Sequence, residues 1–364
     1  MVKKSWRFAA AWAVASVIFM TVKNASSQTP PENLLLKNYR PKSIYAVPRT
    51  EIPRAKFSVI DVHSHPDAKT GKEVDEWVRI MDEANIDKTV IMTMAVGAKF
   101  DSICELYSRY PDRFQVWCGF DYRGYDRPGF GPSAVAELER CVGKGAKGVG
   151  ELGDKGKGLF YGETKAWGMH PDDPRMDPLF EKCAELGLPV NLHVADPIWM
   201  YQPMDSTNDG LMNAVEWRLD NQPGIVGHAG MMKILENTVH RHPRTTFIAC
   251  HFANLCYNLA EAGRMLDLYP NLYMDNSARY AETSAIPRST AEFYMRYSDR
   301  ILYGTDMGSD LAMYRTTFRI LETLDEHFYE QGRFGYHWYL NGLGLDDAIL
   351  KKVYRDNALR ILKK

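Results

Sequence analysis

The sequence predicts an α/β protein of the (β/α)8 TIM-barrel class. Three observations carry that expectation. Eight short, nearly continuous apolar runs alternate with segments of helical spacing, as expected for parallel strands covered by helices. Histidines or carboxylates terminate several different runs, and barrel enzymes build their sites at those strand ends. The 364 residues exceed the ~250 that a barrel needs and leave room for insertions. A doubly wound sheet also alternates strand with helix; the polar strand ends separate the two.

The elements follow in order. Lys3, Lys4 and Arg7 precede an uncharged apolar run, Phe8 to Met20, and then the small residues Ala25-Ser26-Ser27. That order is the one found in a secretory signal peptide, here residues 1–27; the run falls short of the ~20 apolar residues of a membrane span. No cysteine stands near the cut to carry a lipid, so the mature chain is expected to be periplasmic or secreted. Residues 28–55 are rich in proline and polar residues and read as an extended arm. Residues 56–364 supply the barrel. Its strands are expected at Phe57–Val62, Thr89–Met94, Phe114–Gly119, Gly148–Glu151, Pro189–His193, Thr246–Cys250, Leu272–Asp275 and Ile301–Tyr303. Helices are expected at Val74–Ala84, Ala134–Val142, Leu179–Leu186, Met231–Val239, Ala260–Leu268 and Glu292–Tyr297, the third closed by Gly187. A final helix over Asp346–Leu362 closes the chain. Two long loops, about Leu152–Pro174 and Ala195–Gly230, are rich in Gly, Pro, Trp and Asp, and loops of that length usually cover a site.

Composition excludes some classes. Removing residues 1–27 takes away Lys3, Lys4, Arg7 and Lys23 and no acid, moving the net charge from −1 to about −5. Such a chain has no bulk attraction for nucleic acid or anionic lipid, and the expected partner is a small-molecule substrate. Homo-oligomerisation stays open. The six cysteines lack a Cys-x-x-Cys pair, and Cys118 and Cys250 sit in strand-like runs, so buried free thiols are the simpler account.

The strongest local signal is Asp61-Val62-His63-Ser64-His65. Residues two apart on a strand face the same way, so His63 and His65 can address one centre, and neutral imidazoles suit zinc and similar divalent ions. His193 ends Pro189-Val190-Asn191-Leu192-His193, His251 ends Phe247-Ile248-Ala249-Cys250-His251, and Asp306 follows Ile301-Leu302-Tyr303-Gly304-Thr305. Four such coincidences argue for a metal site rather than unrelated capping residues. Glu151, at the end of Gly148-Val149-Gly150-Glu151, is a further carboxylate that can bridge a second metal, touch substrate or simply pair with a base.

This pattern resembles the amidohydrolase superfamily, with His-x-His on strand one, histidines on strands five and six, and Asp on strand eight. Arg241-His242-Pro243-Arg244-Thr245-Thr246-Phe247, Asp299-Arg300-Ile301-Leu302-Tyr303-Gly304-Thr305-Asp306 and the closing Asn357-Ala358-Leu359-Arg360 are similar to its amidohydrolase-related branch. The resemblance implies His63, His65, His193 and Asp306 as ligands of a divalent metal, zinc by preference, one ion or two. It implies His251 as the acid/base and Asp306 as a second catalytic group. The branch holds hydrolases, lactonases, hydratases and non-oxidative decarboxylases. The first expectation is a metal-dependent hydrolase using activated water on an amide, ester or lactone. Decarboxylation of a cyclic or unsaturated acid is the alternative, although Asp306-Met307-Gly308-Ser309-Asp310 lacks the aromatic-Pro-His turn frequent in those decarboxylases. A binding protein on a decayed barrel is a further alternative, opposed by the intact ligand set. Arg279, Asn276 and His228 are candidate substrate contacts. His170 reads as an ordinary loop histidine, and Trp167, Trp199 and Trp217 either wall an apolar pocket or pack the loops down.

Overall fold

The structure, a computed structural model, describes residues 29–362. The expected signal peptide lies outside the described residues. Residues 29–39 form a unit of their own with two single-turn 3-10 helices, Pro31–Asn33 and Leu36–Asn38. The rest, from Arg40, is the second unit.

That unit holds eight parallel strands in chain order: Val59–Ser64 (β1), Ile86–Met92 (β2), Phe114–Trp117 (β3), Val149–Asp154 (β4), Val190–Val194 (β5), Phe247–Ala249 (β6), Leu272–Asp275 (β7) and Ile301–Leu302 (β8). Register runs Ile91 to Val116, Gly153 to His193, Leu192 to Ala249, Ala249 to Met274 and Leu302 to Asp275. A single bridge, Cys118 to Val149, joins β3 to β4. The ring closes where the Val62 amide donates to the Tyr303 carbonyl and the Asp306 amide to the His63 carbonyl, each at 2.9 Å. Asp61 reinforces this seam, accepting the Thr305 hydroxyl at 2.7 Å and its amide at 3.1 Å. Burial pushes the Asp61 carboxyl up to about 6, against those hydrogen bonds.

Each strand is followed by a helix: Gly71–Ala84 (α1), Gly97–Tyr107 (α2), Pro132–Gly143 (α3), Asp177–Leu186 (α4), His228–Arg241 (α5), Leu259–Leu268 (α6), Pro287–Tyr297 (α7) and Leu311–Glu322 (α8). Their ends obey local chemistry. Thr70 and Glu73 form a reciprocal capping box before α1, and Gly187 ends α4 at φ 60°. The helices α2 and α8 have no counterpart in the sequence reading. In α8 the buried set includes Met313, Tyr314, Thr316, Thr317, Phe318, Ile320 and Leu321, which blurs a one-sided stripe.

Residues from non-adjacent strands meet inside the ring. Ile60, Val62, Val90, Met92, Trp117, Ile248 and Leu302 form one apolar group with Ala358 and Leu362 of the closing segment. That segment, Asp347–Ile361, changes from α to π and back to α. Asn357 pins it, donating to the Ser298 and Ile301 carbonyls at 2.7 Å each. All six cysteines are free, and all but Cys104 are buried. Among the described residues no helix is long and apolar enough to cross a membrane.

The two long loops acquire structure that their sequence does not announce. The first holds a small antiparallel hairpin, Gly158–Leu159 with Ala166–Trp167. The second holds a 3-10 turn, Ile198–Met200, and a short helix, Leu211–Ala214.

Candidate metal centre

His63, His65, Glu151, His193, His251 and Asp306 arrive from five strand ends and converge. His63 and Glu151 are almost wholly buried, whereas the Asp306 side chain keeps 27% of its surface exposed to the mouth. Gly304 makes the approach of β8 feasible, because a Cβ there would stand 2.7 Å from the His63 Cβ. The rim is strained: His251 and Asp306, neither a glycine, take φ of 58° and 62°. Such conformations cost about 1–3 kcal/mol and concentrate at functional sites.

Hydrogen bonds on the outer nitrogens aim three imidazoles inward. His63 Nδ1 lies 3.0 Å from Asp275 Oδ2, His65 Nδ1 is 3.1 Å from the Met92 carbonyl, and His251 Nδ1 is 2.9 Å from the Ser277 carbonyl. Each acceptor fixes the proton on Nδ1 and leaves the Nε2 lone pair facing the centre. There, His65 Nε2 stands 3.1 Å from Asp306 Oδ1, and His63 Nε2 stands 3.6 Å from the same atom. Glu151 lies in the middle. Its Oε1 is 2.6 Å from His193 Nδ1, 3.5 Å from His251 Nε2 and 3.7 Å from His63 Nε2, and its Oε2 is 3.6 Å from His65 Nε2.

Two groupings have metal-ligand spacing: His63, His65 and Asp306; and His63, Glu151, Cys250 and His251. The first contains three of the expected ligands. His193 stands slightly apart, with Nδ1 on Glu151 and Nε2 on Asp196 Oδ1 at 3.0 Å. The fit to a cation rests on His63 Nε2, a buried nitrogen with no hydrogen-bond partner. The charges agree with it. Burial alone would lower His63, but Asp275, then Asp306 and Glu151, raise it to about 10, so these carboxylates favour positive charge at Nε2, where a divalent ion would take the place of the proton. Burial pushes His251 down to about 4, so its imidazole is neutral and able to ligate. Glu151 and Asp306 stay below the ordinary carboxylate range; burial opposes this, and the surrounding histidines prevail. Imidazole nitrogens and carboxylate oxygens at this spacing suit a divalent ion.

Above the centre lies a cavity of about 360 Å³, walled by Lys155, Tyr161, His193, His251, Arg279 and Asp306 among others. Arg279 lines this cavity, although Asn254 and the Ala278 carbonyl occupy part of its fork. Two other expected contacts are corrected. Asn276 is consumed between β7 and β8, donating to the Tyr294 hydroxyl and accepting from Tyr280 and the Gly304 amide. His228 begins α5 buried against Tyr201 and Tyr257, bonded to the Asn254 carbonyl, away from the cavity wall.

Several site residues were not picked out from the sequence. Asp275 supports His63 and accepts the amides of His251 and Ser277 at 3.1 Å each. It ends β7 as Asp306 follows β8, and that parallel was the available signal. Asp196 braces His193 from three residues on and pairs with Lys155 Nζ at 2.8 Å. Tyr161 lies on Gly153, where a Cβ would meet its ring at 2.3 Å. Cys250 Sγ hydrogen-bonds Asn191 Oδ1, so this thiol is more than filler.

Comparison with known proteins now has a geometry to meet. A family model described as amidohydrolase matches residues 60–364. A candidate amidohydrolase from Staphylococcus aureus shares 18% identity and a TM-score of 0.55 over 84% of this chain and 99% of its own. A 2,6-dihydroxybenzoate decarboxylase from Rhizobium shares 18% identity and a TM-score of 0.52 over 84% and 98%. A dihydroxybenzoic acid decarboxylase from Polaromonas, with bound manganese and 2-nitroresorcinol, shares 17% and 0.52 over 84% and 96%. At these identities the likeness establishes the barrel fold. No curated protein matches the chain.

Proposed function

The chain belongs to the amidohydrolase family and is an enzyme, and from that premise we propose a divalent-metal-dependent hydrolase acting on a small ester, lactone or amide. The observation that carries this reading is the placement of Glu151. Its Oε1 lies within 3.7 Å of His193, His251 and His63 while its Oε2 lies 3.6 Å from His65, so one carboxylate faces all four histidines. That arrangement suits a carboxylate shared by two cations. His63, His65 and Asp306 would hold one ion and His251 the other, with His193 beside it on Glu151 and Asp196. On this reading His251 joins the ligands, and Asp306 keeps the proton-transfer role.

When bound, the metal supplies positive charge that polarises a substrate carbonyl and eases deprotonation of water. The chain's own groups do the rest. Asp306, ionised and open to the cavity, accepts the proton of the attacking water and returns it to the leaving group. Arg279 and Lys155 on the wall orient an anionic group of the substrate. Tyr161, seated on Gly153, narrows the access of bulk water. Zinc suits the imidazoles, and manganese suits the carboxylates equally well. Export of the mature chain after residues 1–27 completes the reading.

Non-oxidative decarboxylation is the second reading, and the comparisons lean toward it: several structural neighbours are decarboxylases, two of them holding manganese. Elemental analysis and product assay separate the two. On protein lacking residues 1–27, hydrolysis predicts two metals per chain, acid release from lactones or esters, and one metal in Glu151→Gln. One metal per chain with CO2 release from dihydroxybenzoates would replace hydrolysis by decarboxylation. No metal after soaking in zinc or manganese would sink both and leave a binding protein.

A further inference from the structure

A second cavity, of about 400 Å³, adjoins the first and shares Lys155, Asp196 and Trp217 in its wall. Its apolar surface comes from Phe160 and Trp167 of the first long loop and Trp217 and Leu219 of the second. Trp167 is 49% exposed and Trp217 59%. Single exposed aromatics need no explanation. Here two indoles from separate loops, fifty residues of sequence apart, open into one cavity beside the metal centre. Phe160 lies parallel to Trp167, 6.2 Å between centroids and 9° between planes, which steadies that indole. Lys155 Nζ stands 5.8 Å over the Trp217 ring and binds Asp196, which ties the partition between the cavities to the brace of His193. Lys157, Glu216, Arg218 and Gln222 add polar groups to the lining, and Ile225 a further apolar one.

We propose that this cavity is a second substrate subsite, which receives a six-membered ring against the exposed indoles of Trp167 and Trp217 while the polar lining meets ring substituents. The substrate is then a two-part molecule: a scissile or carboxyl-bearing group over the metal centre, joined to a sugar or aryl ring past Lys155. This rests on the reading of the first cavity as the reaction site. Sugar and aryl rings share the flat face that an indole accepts, and the test distinguishes them.

Binding is measured by saturation-transfer NMR on protein lacking residues 1–27, with methyl glucoside and cellobiose as sugar probes and 4-nitrophenol as the aryl probe. At least one probe class should bind, and Trp167→Ala should weaken it roughly 2- to 10-fold. Trp167→Phe should restore most of the binding, and metal content should be unchanged in both variants. Binding confined to the sugars assigns a sugar conjugate, and binding confined to 4-nitrophenol an aryl conjugate. No binding by either class, or binding that Trp167→Ala leaves intact, overturns the subsite. Neither readout needs turnover, so loss of the hydrolase reading and loss of the subsite are seen separately.

Discussion

The barrel rim and the loops above it solve opposite problems. The rim buries its charges: Asp61, His63, Glu151 and Asp275 are nearly inaccessible, and each is held by specific hydrogen bonds or facing charges. The loops expose their aromatics, and Trp167 and Trp217 stand in solvent. Buried polar groups are costly unless fully partnered, so the rim admits one arrangement. Exposed rings on loops have little to lose by exchange. On the proposed reading, chemistry is built into the buried rim and substrate choice into the exposed loops.

Four substitutions sharpen that contrast, in falling order of effect. His63→Ala and Asp306→Asn should each take activity to background while far-UV circular dichroism keeps the barrel signature. Full activity in either variant would remove the metal model. Next comes Asp275, which touches no substrate in the cavity and acts by orienting His63. Asp275→Asn should weaken metal affinity roughly 10- to 100-fold, read by chelator competition. An unchanged affinity would mean that the rim does not depend on its outer hydrogen bonds.

The smallest effect lies in the first loop. His170 Nδ1 is 2.5 Å from Asp154 Oδ2, and this bond raises the His170 pKa above the ordinary histidine value. A raised histidine stabilises the folded loop fully below the unfolded value of ~6.5. That contribution is lost as pH rises through the higher folded value. The hydrogen-exchange protection factor over residues 155–170, which divides out the intrinsic pH dependence of exchange, should therefore fall a few-fold between mildly acidic and alkaline pH. His170→Gln should flatten that dependence, and an equal slope in the variant would show that the bond does not pin the loop. Activity at the rim should follow this change only weakly.

Much of this molecule is local in origin. All eight strands appear near the places where their apolar runs stand, because a strand buried on both faces must be apolar along its length. His63, His65, His251 and Asp306 are legible for a related reason: a polar residue closing such a run has only the barrel mouth to occupy. Tertiary structure decided the rest. Asp275 and Asn276 are adjacent in sequence, yet one supports the metal centre and the other ties β7 to β8, a choice made by partners far along the chain. His228 looked like a site residue and is packed between tyrosines. The central place of Glu151 and the meeting of Trp167 with Trp217 depend on ring closure and loop packing. Sequence periodicity records which residues must leave water; which of them meet is set by contacts between segments distant in the chain, and no local pattern encodes those.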